Sequence, residues 1–100
     1  MTPEGKIAHY LKTRVEQCGG LIRKIVYEGR RDCPDYVVHL CGQTYFIETK
    51  APGETPRDSQ LYEFAQIAIH GEHPVIVVDS KEAIEAFVNG VCYINNTQVS

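Results

Sequence analysis

The chain contains no tryptophan, a single methionine and only five prolines in 100 residues. It also has no uninterrupted apolar run of the length that a membrane-spanning helix requires. Membrane insertion is therefore not expected, and the chain reads as a cytoplasmic protein with no signal peptide ahead of it. Its four cysteines, Cys18, Cys33, Cys41 and Cys92, show no C-x-x-C spacing, so they are expected to be free thiols in a reducing compartment, used mostly as small apolar fillers. His9, His39, His70 and His73 lack paired ligand spacing, which argues against a zinc site. Positive charge is not in excess either: 13 acids against 10 Lys and Arg leave a formal net charge of −3. That balance gives no overall pull toward a polyanion. Repeats, low-complexity tracts and linkers are lacking too, so one domain spanning residues 1–100 is expected, large enough to hold its own core.

What is present is concentrated in a hairpin. Asp35–Leu40 and Thr44–Lys50 are rich in β-branched and aromatic residues and flank the short Cys41-Gly42-Gln43 connection, so they read as adjacent antiparallel strands. Pairing Leu40 with Gln43 sets Asp35 opposite Glu48, and a one-residue slip would still leave them diagonal neighbours. Alternation places Glu48 and Lys50 on one face with Phe46, while Thr49 is expected to point away and offer only its backbone carbonyl. Asp35, Glu48 and that carbonyl would form an oxygen ligand set for Mg²⁺ or Mn²⁺. Two carboxylates so close repel unless a cation compensates, and Lys50 supplies part of that compensation. The same ammonium could orient an attacking water or stabilise charge on a phosphate. These are parts for hydrolysing a phosphodiester. An exposed Glu48–Lys50 ion pair and a turn aspartate after Pro34 would be the ordinary alternative.

Around the hairpin, Thr2-Pro3-Glu4 begins a helix over Pro3 to Cys18 that Gly19-Gly20 ends, and Leu21 to Glu28 alternates as a strand. Glu4 falls on the stripe of Ala8, Leu11 and Val15, from which it could reach the metal or its water. Thr55-Pro56-Arg57-Asp58 resembles a capping box that opens a second helix. Its apolar line is Leu61, Phe64, Ala65 and Ala68, Gln60 borders that line, and Gly71 ends the helix. Val75–Val78 reads as a buried central strand after a helical crossover, followed by a helix from Lys81 to Phe87 closed by Asn89-Gly90. Fraying is expected from Asn95 onward. Lys6, Lys12, Arg14, Arg23, Lys24, Arg30 and Arg31 crowd the first third of the chain and could form a basic surface that tracks a nucleic-acid backbone.

The run Gly29-Arg30-Arg31-Asp32-Cys33-Pro34-Asp35-Tyr36-Val37-Val38, followed by Phe46-Ile47-Glu48-Thr49-Lys50-Ala51, Gly53 and Ser59-Gln60, resembles the virus-type replication-repair nuclease (VRR-NUC) domain, a branch of the PD-(D/E)xK superfamily. The resemblance runs from about Glu4 to Val75–Val78. It implies an α/β fold with a restriction-endonuclease-like core, a mixed β-sheet flanked by helices. It also implies metal binding at Asp35 and Glu48, with Glu4 as a further metal contact, a catalytic lysine at Lys50, and assisting roles for Gln60 and Glu4. Lys24, Arg30, Arg31 and Arg57 are the expected DNA contacts. Asp32 departs from the pattern by adding negative charge beside the DNA path.

Stand-alone domains of this kind are homodimers that resolve four-way DNA junctions, so the resemblance implies a Mg²⁺-dependent endonuclease with branched DNA as its partner. A two-fold dimer would place two cuts symmetrically. Phe87, Val91 and Tyr93 are candidates for the dimer surface. A flap or sequence-specific endonuclease on the same core, or a non-catalytic binding module, are the competing expectations.

Overall fold

In a computed structural model, which describes residues 1–99 with side chains through Tyr93, the chain orders as α1 (Pro3–Gln17), β1 (Leu21–Lys24), β2 (Tyr36–Leu40), β3 (Gln43–Thr49), α2 (Asp58–His70), β4 (Ile76–Val78) and α3 (Lys81–Val99). The expected fraying from Asn95 falls beyond the described side chains. One four-stranded sheet runs in the order β1-β2-β3-β4. β1, β2 and β3 are antiparallel, and β4 joins β3 in parallel. This is an α/β fold on a mixed sheet, and α2 makes the crossover that a parallel β3–β4 pair requires.

The helix ends follow from local chemistry. Thr2 Oγ1 accepts the Gly5 N–H at 3.0 Å and Pro3 takes the first helical position. At the other end Gly19 N–H donates to Glu16 O and Gly20 N–H to Val15 O, a Schellman motif with Gly19 at φ +78°. A Cβ on Gly20 would sit 2.9 Å from the His39 carbonyl, so the turn packs against β2 only because glycine is there.

The hairpin register is the expected one, Leu40 against Gln43 and Tyr36 against Ile47. Its turn is the two residues Cys41 and Gly42, at φ +53° and +78°, the signs of a type I′ turn that matches strand twist.

The core lies between one sheet face and the two terminal helices. Ile22, Val38, Leu40, Ile47 and Val78 from the sheet meet Ile7, Leu11 and Val15 of α1 and Ile84, Phe87, Val88 and Val91 of α3. Tyr10 and Arg14 of α1 both bond Glu85 and clasp the two helices together. Arg14 is therefore engaged in the body and does not join the basic surface expected of it.

Four other expectations need correction. β1 stops at Lys24, not Glu28, because β2 begins only at Tyr36; Ile25 N–H donates to Asp35 O and the chain then leaves the sheet. β4 is an edge strand of three residues, not a central one, and Val77 is partly exposed. α3 continues through Asn89-Gly90, since burial of Val88 and Val91 outweighs a glycine penalty of about 1 kcal/mol. That burial also removes Phe87 and Val91 from any dimer surface, while Tyr93 remains exposed.

Candidate active site

Period-two alternation on β3 sends Ile47 into the core and Glu48 to the opposite face, where α2 lies. Glu48 is only 3 % exposed. Its Oε2 accepts from Gln60 Nε2 at 3.0 Å and lies 3.1 Å from Lys50 Nζ. Lys50 Nζ also donates to Gln60 Oε1 at 3.1 Å, so Glu48, Lys50 and Gln60 close a triangle. Gln60 is itself buried, at 6 % exposure. Its Oε1 additionally accepts the Arg57 backbone N–H at 2.9 Å, half of a capping box that starts α2. Arg57 is thus the residue before the helix, not Thr55, because the side chain that reaches back is the glutamine three positions later. One residue thereby fixes both the start of α2 and the position of the Lys50 ammonium.

Asp35 stands just before β2 and extends the ladder toward Glu48. Its Oδ2 accepts two hydrogen bonds from Thr49, from the backbone N–H at 3.0 Å and from Oγ1 at 2.9 Å. The Thr49 side chain therefore reaches Asp35, contrary to the expectation that it points away and offers only its carbonyl. The hydroxyl orients one carboxylate oxygen and leaves Asp35 Oδ1 outside both bonds.

The electrostatics of this group are unbalanced. Burial, and next the Asp35 charge, push the Glu48 carboxyl above the ordinary glutamate range, and Lys50 and Gln60 oppose this only in part. Glu48 Oε1 is buried without a hydrogen-bond partner, the sole such side-chain atom among the described residues. An orphaned acceptor beside a second carboxylate is what a cation would satisfy. Among the described residues no three His, Cys, Asp or Glu side chains converge as a metal cluster. Two carboxylates suit Mg²⁺ or Mn²⁺, which complete their shells with water, carbonyl and phosphate oxygens. The residues present fit such an ion.

Other candidates are dispersed around this centre. Glu4 is exposed in the first turn of α1, and among the described residues it has no hydrogen-bond or ion-pair partner. The buried stripe there is Ile7, Leu11 and Val15, so the structure does not bring Glu4 to the acid pair. Arg30 donates from Nε and Nη2 to Glu63 Oε1, at 3.2 and 2.8 Å, so two of the donors it could offer a phosphate are occupied. Asp32, at φ +67°, accepts from Arg57 Nη2 at 3.4 Å and Ser59 Oγ at 3.3 Å. Its charge is thereby offset, and it ties the Arg30-Arg31 loop to the start of α2. Arg31, Asp32, Arg57 and Ser59 line a cleft of about 500 Å³. Lys24 and Arg31 are exposed.

Glu63 was not singled out by the sequence. It is buried one turn after Gln60, and that i, i+3 spacing was the signal available. The same stripe corrects the expected apolar line of α2. Gln60, Glu63 and Phe64 face inward, whereas Ala65 and Ala68 are exposed and Leu61, Tyr62 and Ile69 are 50 %, 65 % and 70 % exposed.

No family model matches the chain. A curated protein described as "Putative nuclease p44", from Acyrthosiphon pisum secondary endosymbiont phage 1, is 44 % identical over 80 residues, which is 79 % of this chain and 85 % of that protein. A solved structure described as a VRR_NUC domain superposes with a TM-score of 0.81 at 35 % identity, covering 89 % of this chain and 97 % of the other.

Proposed function

Because the chain belongs to the VRR-NUC nuclease family, we propose that it is a divalent-metal-dependent, structure-selective endodeoxyribonuclease that works as a homodimer on four-way DNA junctions. The observation that carries the metal-dependent part is the orphaned, buried Oε1 of Glu48, a carboxylate that feels the Asp35 charge and is paired with a braced lysine. Asp35, Glu48 and the Thr49 carbonyl would hold Mg²⁺ or Mn²⁺. Such an ion supplies Lewis-acid charge at the phosphate and acidifies water.

The remaining work falls to the chain's own side chains. Gln60 and Glu48 fix Lys50 Nζ, so the ammonium meets the reacting phosphate without first losing the entropy of a free lysine. From there it orients the attacking water or stabilises negative charge on a phosphate oxygen. Thr49 holds Asp35 through one carboxylate oxygen, Oδ2, and leaves Oδ1 outside both bonds. Arg31, Arg57 and Lys24 are the expected backbone contacts, and Arg30 is a weaker one because it is shared with Glu63.

The dimer is supported by the outward apolar residues of α2, Leu61, Tyr62 and Ile69, a larger apolar surface than Tyr93 alone. An isologous pair would present two sites to a two-fold substrate.

Cleavage of a labelled immobile four-way junction, compared with linear duplex and flap DNA in Mg²⁺, Mn²⁺ or EDTA, tests this reading. Paired symmetric nicks in the junction that EDTA abolishes are expected. Preferential cutting of flap or duplex would discard the junction assignment, and tight binding without cleavage would make the chain a binding module.

A further inference from the structure

The cations of this acidic chain separate into two groups. Arg14 is bound to Glu85, Arg30 to Glu63 and Arg57 to Asp32. The side chains of Lys12 on α1 and Lys24 on β1 make neither a hydrogen bond nor an ion pair among the described residues, and both line one groove between these elements. That groove has a volume of about 420 Å³ and includes His9, Glu16, Arg23 and Tyr36 in its wall. The Arg23 guanidinium donates to the Ile22 backbone carbonyl and has no carboxylate partner. Lys12, Arg23 and Lys24 therefore face a single acid, Glu16, which leaves the groove positive in a chain whose net charge is −3.

Its position ties it to the acid pair. Lys24 pairs with Tyr36 in the β1–β2 ladder, Asp35 immediately precedes Tyr36, and Ile25 N–H donates to Asp35 O. The groove thus opens next to the backbone that presents Asp35, on the α1 side, whereas the cleft of Arg31 and Arg57 lies at the start of α2. We propose that this α1–β1 groove is a second backbone-binding track, in which Lys12, Arg23 and Lys24 hold phosphates of the DNA strand outside the scissile one. The inference rests on the nuclease reading and adds to it a strand path along α1. Lysines on separate elements suit it, because strongly hydrated point charges follow a polyanion without demanding one fixed geometry.

Counterion release provides a test that reads sign as well as size. Binding of a fluorescent junction is titrated across a salt series in EDTA, so that no cleavage intervenes. The wild type is compared with Lys12→Ala, Lys24→Ala, Glu16→Gln and Lys81→Ala. Lys81 lies on α3 over the Tyr10 ring, outside the groove. Each groove lysine variant is expected to bind more weakly and to flatten the slope of log K against log salt by about 0.7 to 0.9. Glu16→Gln is expected to tighten binding, an effect that damage to the fold would not produce. Lys81→Ala should follow the wild type. Slopes unchanged in both lysine variants, or weaker binding by Glu16→Gln, would overturn the groove. A protein that shows these salt effects but never cuts DNA would remove the nuclease reading and leave the groove standing, so the two failures are separable.

Discussion

Gln60→Ala removes three hydrogen bonds at once: the donation to Glu48 Oε2 at 3.0 Å and the acceptances from Lys50 Nζ at 3.1 Å and Arg57 N at 2.9 Å. The first two involve charged partners, worth about 1.5 to 3 kcal/mol each, and the third is a helix cap worth about 1 kcal/mol. Lys50 remains paired with Glu48 and is near enough to solvent to gain water, and Arg57 is exposed, so part of this is recovered. The expected loss is roughly 2 to 4 kcal/mol, read as a lower urea midpoint with an unchanged slope. Single-turnover cleavage should fall by roughly 10- to 100-fold, as when a group that orients a metal-ligating carboxylate is lost. Gln60→Glu separates shape from charge. It preserves both acceptances but turns a carboxylate toward Glu48, so this variant should be destabilised at neutral pH and recover as acid protonates one of the two. A change below about 0.5 kcal/mol for Gln60→Ala, together with a pH-independent Gln60→Glu, would refute the organising role.

Further outcomes follow from the same geometry. In metal-free protein the folded-state pKa of Glu48 lies above its unfolded value, so the Glu48 contribution favours folding at low pH and is lost as pH rises through the folded value. Subtracting the stability curve of Glu48→Gln from that of wild type between pH 4 and 8 should show this decline, and a rise would contradict the assigned sign. Mn²⁺ at about 100 times its Kd should stabilise the wild type by about 2.7 kcal/mol, roughly 10 °C or more for a domain of this size, while Asp35→Asn abolishes the shift. Burial, followed by the neighbouring Cys18 and Cys41 thiols, pushes Cys92 up to about 11. Alkylation at pH 8 should therefore modify exposed Cys41 long before Cys92, as mass spectrometry of timed digests would report.

The parts of the fold that could be read from the sequence are those set by local rules. A two-residue turn and a period of two left the β2–β3 register little freedom, so the placement of Asp35 beside Glu48 was legible in the sequence. The first helix declared both of its ends through Thr2-Pro3 and Gly19-Gly20. What escaped depended on partners distant in the chain. Nothing near Arg14 or Arg30 indicates that Glu85 or Glu63 will claim them. α2 misled for a different reason. Its inward stripe carries Gln60 and Glu63, so a search for apolar periodicity selects Leu61, Phe64, Ala65 and Ala68, of which only Phe64 is buried, and rotates the helix away from its true inward face. The Thr49 hydroxyl was missed because alternation describes where a side chain starts, whereas a short β-branched side chain at a strand end can still reach the neighbouring carboxylate.

Single-turnover cleavage of a four-way junction by wild type, Asp35→Ala and Lys50→Ala, each with Mg²⁺ and with EDTA, is the most direct measurement. Cutting by the wild type in Mg²⁺ alone, with losses of at least 100-fold in both variants, is the expected result. Equal rates for wild type and Lys50→Ala, or cleavage that persists in EDTA, would contradict a metal-dependent site built on Asp35, Glu48 and Lys50.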